Sequence, residues 1–424
     1  MAQTNVSRRG FVAGTAAIGA AAAMTSLGTN FAYAAGSERI RVGVIGCGGR
    51  GTGAAKDCAA ASPQVQIVTL ADVFQDRVDR CRKQLDGLGD QIAVKDENCF
   101  TGFDAYEKAL ATETDLVILA TPPGFRPTHL KAAAEAGKHV FAEKPVAVDA
   151  VGVKMILEAS ETLKSKNKAL VVGTQRRHDV GYNETIKRIK DGAIGDLVSG
   201  NFYWNQGSLW MHPRQAEWSD MEWQLRNWLY FTWLSGDHIV EQHVHQIDVM
   251  NWVFGDHPVA AYAMGGRQVR TDPAYGHVFD HFYVEFEYPN GTRISSMCRQ
   301  QDGTESRVAE HVVGTKGTSN CHTRIEAKGE KAWRFNRPKD AKGPYQQEHV
   351  DLINSIVAGK PLNEGKQIAE STLSAIMGRM SAYSGKRVTW EQAMDSKESL
   401  MPERLEMGSI PVPPVPVPGK TPVA

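Results

Sequence analysis

The stretch that decides the fold is RIRVGVIGCGGRG, which runs from Arg39 to Gly51. Residues 39–45 predict a short buried strand, and the alanine-rich residues 52–60 predict a helix. Between them lies a G-x-G-x-x-G motif. Its first glycine allows a tight turn, its second lets the backbone approach a pyrophosphate, and its third lets helix and strand pack closely. A dinucleotide site is therefore predicted, with five binding residues: Gly46, Gly48, Gly49, Arg50 and Gly51.

A second apolar run, 65–71, predicts a strand that ends at Asp72, 26 residues after Gly46. A carboxylate near this spacing accepts hydrogen bonds from the adenosine ribose hydroxyls of NAD and repels the 2′-phosphate of NADP. We therefore predict NAD as the cofactor in preference to NADP. The alternative is that Asp72 only caps the predicted helix Gln75–Leu85.

The alternation of strands and helices continues to about residue 165. Strands are predicted over 115–120 and 138–142, and helices over 103–111, 128–136 and 150–164. This order predicts an α/β protein whose N-terminal domain, 37–165, is a doubly wound parallel sheet of the Rossmann type. Ligands bind beyond the carboxyl ends of the strands in such a sheet. Two proline-containing loops fall there, Thr121-Pro122-Pro123 and Glu143-Lys144-Pro145.

Longer strands follow in the second half of the chain. Strands are predicted over 169–173, 197–204, 259–264, 279–288 and 292–298, with a short helix over 185–190. Pro289-Asn290-Gly291 predicts a hairpin turn between the last two strands. We predict a C-terminal α+β domain, 166–400, with a large open, mostly antiparallel sheet. The proline-rich residues 401–424 then form an arm that lies over a neighbouring subunit or is a loose end.

A histidine-rich segment near residue 240 carries the candidate chemistry. On a helix, Glu241, His245 and Asp248 lie at i, i+4 and i+7 and share one face, while His243 points away. A carboxylate one turn before a histidine orients the ring and raises its basicity, as a general base requires. Two alternatives stay open: a histidine buried in the core, and a His-x-His metal site. We predict no metal, because a helix separates the two histidines.

These motifs, in this order, resemble those of the glucose–fructose oxidoreductase/inositol dehydrogenase (Gfo/Idh/MocA) family. The most specific segment is AGKHVFAEKP, from Ala136 to Pro145, and the resemblance runs from about Ser37 to about Arg387. The family pattern D-x-x-x-H-x-x-D is also matched, with Glu241 in place of the usual Asp.

The resemblance implies an NAD-dependent oxidoreductase that uses no metal and forms a homodimer or homotetramer through its substrate domain. It implies that His245 is the general base, that Glu241 lies at the catalytic centre, and that Lys144 stabilises the alkoxide. The implied cofactor site extends the glycine motif and Asp72 by Thr121, Pro122, Pro123, His129, Glu143, Lys144 and Gln175. The implied substrate site contains Lys144, Arg176, Glu241 and His245.

Tryptophans indicate the class of substrate. Six of the nine lie between Trp204 and Trp233. Each combines a large apolar face with one N–H donor, which suits the C–H face of a sugar ring. We predict that Trp204 and Trp210 contact substrate and that the other four belong to the core: Trp218, Trp223, Trp228 and Trp233.

The leading functional prediction is oxidation of a hydroxyl group of a sugar, glycoside or polyol. The alternative is an NAD-dependent glycosidase, in which oxidation at C3 acidifies the neighbouring C–H, the aglycone is eliminated and the hydride returns. A third interpretation is a non-catalytic sugar or nucleotide sensor. The presence of both Lys144 and His245 argues against it.

Composition and the N-terminus bound the remaining properties. The 424 residues carry 48 basic and 48 acidic side chains, so no nucleic-acid partner is expected. Six scattered cysteines predict no disulfide framework. Ser7-Arg8-Arg9, apolar residues 13–27 and Ala32-Tyr33-Ala34 predict a twin-arginine export signal over 1–34, hence a periplasmic or extracytoplasmic location. No transmembrane segment is expected in the mature chain.

Overall fold

The computed structural model describes residues 39–423, and the predicted export signal lies outside them. The N-terminal half contains six strands: β1 Ile40–Ile45, β2 Val65–Asp72, β3 Cys99–Thr101, β4 Leu116–Leu119, β5 His139–Ala142 and β6 Leu170–Val172. Five helices connect them: α1 Gly49–Ala61, α2 Gln75–Leu85, α3 Ala105–Leu110, α4 Arg126–Glu135 and α5 Ala150–Ser165. The strands form one parallel sheet in the order β3-β2-β1-β4-β5-β6. The predicted Rossmann-type sheet is confirmed.

The central strands of this sheet are short and continuously apolar. Every residue of β4, β5 and β6 is buried, because helices cover both faces of the sheet. The strand order reverses between β1 and β4, which opens a crevice beyond their carboxyl ends. Because β6 follows residue 165, the parallel sheet extends past the expected domain boundary.

The second half is built on a nine-stranded sheet. Its strands are β7 Leu197–Gln206, β8 Ala260–Gly266, β9 His281–Glu287, β10 Arg293–Gln300, β11 Arg307–Gly314, β12 Gly317–Ser319, β13 Arg324–Ala327, β14 Trp333–Arg334 and β15 Val388–Thr389. They lie in the order β14-β13-β12-β11-β7-β10-β9-β8-β15, and only the β7–β10 pair is parallel. The predicted mostly antiparallel sheet is confirmed. So is the hairpin turn, where Gly291 has φ of 81°.

Eight helices complete this half: α6 Val180–Lys190, α7 Asp220–Arg226, α8 Thr232–Ser235, α9 His238–Glu241, α10 Val244–Phe254, α11 Pro344–Val357, α12 Gly365–Ser384 and α13 Trp390–Asp395. No helix between residues 39 and 423 has the length and apolarity that crossing a membrane requires. The last long helices return to the N-terminal half, where Leu352, Ile353 and Ile356 of α11 share a core with β1 and β2.

His178 is an ionic link between the halves. It follows β6, and its Nδ1 lies 2.6 Å from Oδ2 of Asp351 on α11, while its Nε2 lies 3.2 Å from Oε1 of Glu364. Burial opposes a charge on the ring, but the two carboxylates outweigh burial and raise the pKa of His178 to about 10. The ring is therefore an imidazolium at neutral pH.

The prediction of one helix through residues 241–248 is wrong. The chain leaves helical geometry between α9, which ends at Glu241, and α10, which begins at Val244. In a continuous helix the Glu241 carbonyl would accept from the amide of His245. Here that amide donates to Gln242 at 3.3 Å, and the Glu241 carbonyl accepts from Nζ of Lys144 at 2.5 Å. A side chain from the other half thus replaces the helical hydrogen bond.

The C-terminal arm packs on its own chain. The Gly408 carbonyl accepts from the amide of Met221 at 3.0 Å, and the Ile410 carbonyl accepts from Nε2 of Gln224 at 3.2 Å. Met401 and Ile410 pack against an aromatic cluster that contains Phe125, Phe231 and Trp233. The arm through residue 423 is therefore not the loose end that its composition suggested.

Candidate active site

A cavity of about 710 Å³ lies in the crevice beyond β1 and β4. The N-terminal half contributes the glycine motif, the end of β2 and both proline-containing loops. The C-terminal half contributes residues between 204 and 212, 225 and 229, and 241 and 245. Fifteen predicted site residues lie on the wall: Gly46, Gly48, Gly49, Arg50, Asp72, Thr121, Pro122, Pro123, His129, Glu143, Lys144, Trp204, Trp210, Glu241 and His245. Patterns from both halves thus converge on one cavity.

The glycine motif has the shape that a bound dinucleotide requires. Gly46 has φ of 100°, and a Cβ on it would lie 2.5 Å from the carbonyl carbon of Ala120. A Cβ on Gly51 would lie 1.8 Å from the oxygen of Gly46, so this glycine permits the close approach of α1. Gly49 faces open space, and α1 begins there, so the first amides of the helix are available to a phosphate. These features fit NAD.

Asp72 holds the end of β2 against the glycine motif. Its Oδ2 accepts from the amide of Cys47 at 2.7 Å, and its Oδ1 accepts from the amide of Phe74 at 3.1 Å. Burial raises the pKa of this carboxyl. Helix α2 begins after Phe74 and has no side-chain cap, so the capping alternative does not describe Asp72.

A buried arginine, which sequence reasoning missed, ties the two proline-containing loops together. The guanidinium of Arg126 donates to the carbonyls of Thr121 and Pro145. Its only sequence signal is its position at the start of α4, directly after the first loop. His129, one turn later, bonds Oγ1 of Thr121 at 3.2 Å, and burial lowers its pKa to about 3. The ring of His129 is therefore neutral.

Arg50 connects the glycine motif to the second loop. Its Nε donates to Oε1 of Glu143 at 2.6 Å, and its guanidinium lies 4.9 Å from the ring centroid of Tyr345. Glu348, buried behind it, lies 4.0 Å from Nη2 of Arg50. The charge of Arg50 thus orients Glu143 beside Lys144.

Lys144, Glu241 and His245 form the most polar part of the wall. Lys144 reaches across from β5 to the carbonyl of Glu241. Burial raises the pKa of Glu241 to about 7, although Lys144 opposes this rise, and Oε1 of Glu241 is buried without a hydrogen-bond partner. In the described residues, no hydrogen bond joins the Glu241 carboxylate to His245. The carboxylate therefore balances the charge of Lys144 and does not orient the imidazole.

Aromatic side chains shape the rest of the cavity. Trp204 stacks on His245 with ring centroids 5.5 Å apart and planes 21° apart. Trp210 is 42% exposed at the cavity and lies 6.1 Å from Trp228. Trp228, expected in the core, also lines the cavity, whereas Trp223 and Trp233 are buried as predicted. No periodic pattern distinguished Trp228, because the step of five residues fits neither a helix face nor a strand.

Three predicted residues lie one layer behind the wall. Gly51 packs against Gly46, and Nε2 of Gln175 donates to the hydroxyl of Tyr345 at 3.2 Å. The guanidinium of Arg176 lies 5.3 Å from the Trp204 ring and donates to Gln246. Gln175 and Arg176 therefore support wall residues in this structure.

Asp248 and His243 also point elsewhere. Asp248 forms a two-point ion pair with Arg177, at 2.8 and 2.9 Å, outside the cavity. His243 bonds Oγ of Ser296 at 2.7 Å, away from His245. Within residues 39–423, no group of three or more His, Cys, Asp or Glu side chains is arranged to hold a metal ion.

The C-terminal half closes over the end of the cavity that contains Asp72. Arg226, the last residue of α7, pairs with Asp76 of α2 at 3.0 Å, and its guanidinium lies 4.1 Å from the Phe74 ring centroid. Leu209, His212 and Trp228 line the cavity together with Phe74. A dinucleotide bound at the glycine motif would therefore be covered along its adenosine end.

Two domain models of one family match the chain. The model described as "Oxidoreductase family, NAD-binding Rossmann fold" matches residues 40–174, and "GFO/IDH/MocA C-terminal domain" matches residues 182–320. An inositol 2-dehydrogenase from Azotobacter vinelandii is 28% identical over 330 residues, covering 76% of this chain and 87% of the relative. A 2,7-anhydro-N-acetylneuraminate hydratase from Escherichia coli is 26% identical over 207 residues, covering 48% and 50%.

Among solved structures, an aldose-aldose oxidoreductase from Caulobacter crescentus, complexed with glycerol, shares the fold. Its TM-score is 0.66 at 18% identity, and the match covers 83% of this chain and 100% of that chain. The two domain models together span more than half of the 424 residues. The chain therefore belongs to the Gfo/Idh/MocA family and is an NAD-binding oxidoreductase similar to sugar and polyol dehydrogenases.

Proposed function

We propose that this enzyme oxidises a hydroxyl group of a sugar, glycoside or polyol, with His245 as the general base and Lys144 stabilising the alkoxide. One observation carries the proposal: Lys144 and His245 come from opposite halves and line the same cavity, joined through the Glu241 carbonyl. An imidazole and an ammonium group beside one hydroxyl provide a proton acceptor and a counter-charge for the oxygen that loses its proton.

The protonation states support these roles. Burial, and then the charge of Lys144, lower the pKa of His245 well below its ordinary value, so the ring is neutral and accepts a proton. Burial also lowers the pKa of Lys144, while the carboxylates of Glu241 and Glu143 oppose this and favour the ammonium form. Trp204 fixes the plane of the His245 ring.

NAD is the proposed cofactor, and when bound it supplies the hydride acceptor. The glycine motif would hold the pyrophosphate, and Asp72 would accept from the ribose hydroxyls. Arg77 lies close to Asp72 and also lines the cavity, so the preference for NAD over NADP needs measurement. Calorimetric titration with each dinucleotide measures it directly, and tighter binding of NADP would refute the preference.

The functional test pairs Lys144→Met and His245→Gln with a matched control, Lys138→Met. Lys138 precedes the same strand as Lys144 and also donates to backbone carbonyls, at 2.8 and 3.2 Å, but it lies outside the cavity. Each site variant should lose at least about a hundredfold in kcat for NADH formation from a sugar or polyol, while retaining NAD binding. The control should keep wild-type kcat. Wild-type turnover by the double site variant would refute the assignment.

A redox-neutral glycosidase is the second candidate, favoured by the closure of the cavity over the adenosine end. Because Arg226 joins the two halves there, NAD would be retained between turnovers. The hydratase among the relatives also carries a name without net oxidation. Release of free sugar from a glycoside with NAD at catalytic amounts would favour this candidate. Steady accumulation of NADH would favour the dehydrogenase.

Export and assembly complete the proposal. Residues 1–34 carry the twin-arginine pattern, so replacing Arg8 and Arg9 by Lys should keep the protein in the cytoplasm when cell fractions are compared. We propose a homodimer or homotetramer because Met264, Tyr283 and Met297 form an exposed apolar row across three strands of the second sheet. A monomer in light scattering would refute it.

A further inference from the structure

Gln242 lies on the cavity wall next to the proposed catalytic groups. It follows Glu241, whose carbonyl holds Lys144, and its own carbonyl accepts from the amide of His245. The side chain of Gln242 is half-buried, and its Oε1 accepts from Nε2 of Gln300 at 2.7 Å. Nothing in its sequence neighbourhood distinguishes Gln242 from any polar residue.

Behind Gln242 lies a chain of two buried side chains. Gln300, at the end of β10, and Arg270 are each 2% exposed. Nη2 of Arg270 donates to Oε1 of Gln300. Arg270 is fixed in turn, because its amide donates to Asp280 at 3.1 Å and its guanidinium lies 5.2 Å from the Tyr230 ring. The row Arg270, Gln300, Gln242 thus leads from a buried charge to the cavity.

The chemistry of the arginine fixes the direction of every hydrogen bond in this row. A guanidinium only donates, so the oxygen of Gln300 must face Arg270 and its NH₂ must face Gln242. The oxygen of Gln242 must then face Gln300. Its Nε2 has no hydrogen-bond partner among residues 39–423 and is directed away from Gln300. The cavity therefore receives two N–H donors from Gln242 and no acceptor.

We propose that Gln242 binds an oxygen lone pair of the substrate, and that Arg270 sets the orientation of this donor through Gln300. The inference rests on the proposed function, since it assigns the oxygen to a sugar, glycoside or polyol. A fixed donor in a closed cavity favours ligands that place an acceptor oxygen opposite it, because an unpaired N–H would lose its hydration. Gln242 is thus a specificity-determining residue, and Gln300 and Arg270 are positioning residues.

The experiment measures binding of myo-inositol, D-glucose and methyl β-D-glucoside to the NAD-loaded protein by calorimetry, with turnover measured separately. Gln242→Glu keeps the length of the side chain but replaces the donors by acceptors. It should weaken the tightest probe at least about tenfold and leave NAD affinity unchanged. Gln300→Glu still accepts from Arg270 but cannot donate, so Gln242 should turn its NH₂ toward Glu and its oxygen toward the cavity, with a similar loss.

A double variant separates positioning from a structural role. In a Gln242→Ala background, Gln300→Glu should cause no further loss of probe affinity, because the group it orients is gone. An additive loss, or unchanged affinity in Gln242→Glu, would overturn the inference. So would a change in NAD affinity with probe affinity unchanged, since the donor would then serve the cofactor.

The same data separate this inference from the proposed function. Probe binding without turnover contradicts the proposed function but leaves the test of Gln242 intact, whereas turnover with insensitive variants contradicts the inference alone. A loaded protein that binds none of the three probes overturns both. Thermal unfolding of each variant checks that the fold is kept.

Discussion

Replacing Glu241 with Gln should remove a pH dependence of activity centred near pH 7. Burial raises the pKa of Glu241 to about 7, and ionisation of this carboxyl favours the ammonium form of Lys144. A group with this pKa is about one tenth ionised at pH 6 and about nine tenths ionised at pH 8. The kcat/KM of the wild type should therefore rise nearly tenfold over this interval, and that of Glu241→Gln should stay flat.

Stability should respond with the opposite sign. The pKa of Glu241 is higher in the folded protein, at about 7, than its ordinary value of 4.5. The protonated carboxyl therefore stabilises the fold fully below pH 4.5, and this contribution is lost as the pH rises through 7. The difference amounts to at most about 3 kcal/mol. Glu241→Gln should raise the midpoint of thermal unfolding at pH 8 and leave it near wild type at pH 4.5.

Rate profiles and thermal unfolding of both proteins across this pH range provide the assay. An inflection near pH 7 that survives in Glu241→Gln would refute the reasoning. Asp237 would then be the candidate, since burial raises its pKa to about 6. A variant that is both slower and less stable than the wild type at pH 8 would also contradict it, because the buried charge would then contribute to the fold.

Three further changes test other parts of the molecule. Gly51→Ala should abolish NAD binding and cost at least about 2 kcal/mol in unfolding free energy, because its Cβ would lie 1.8 Å from a backbone oxygen, whereas Gly53→Ala on the same helix meets only a side chain at 3.8 Å and should be silent by urea unfolding and NAD titration. Arg226→Ala should speed NAD dissociation in stopped-flow fluorescence, and an unchanged rate would show that the closure does not retain the cofactor. His178→Ala should cost about 3–5 kcal/mol at pH 6, and this difference should shrink as the pH rises through 10, where the wild-type ring loses its proton; a constant difference across that range would contradict the ionic link.

The parts of the fold that could be predicted are those set by local sequence. Apolar runs such as Leu116–Leu119 are buried on both faces, so their composition alone indicates a parallel strand. The glycine motif could be located for the same reason, because Gly46 and Gly51 meet backbone atoms that only a glycine tolerates. The residues that line the cavity follow from these elements, since the ends of parallel strands meet at one edge.

Features that depend on distant residues could not be predicted. The break before Val244 depends on Lys144, which lies 97 positions before Glu241 and takes its carbonyl. The orientation of Gln242 depends on Gln300, 58 positions away. The role of Arg126 depends on a carbonyl 19 positions ahead. In each case a polar partner from another element replaces the local preference, and no periodic pattern records it.

The position of the arm has a consequence for biosynthesis. A Cβ on Gly124, between the cavity residues Pro123 and Phe125, would lie 3.1 Å from Sδ of Met401, and the amide of Leu400 donates to Asp149 at the start of α5. The ribosome makes these arm residues more than 270 positions after the loop they cover. During translation the roof of the cavity is therefore bare on the nascent chain, and the pocket reaches its final shape only after nearly all of the polypeptide has been released.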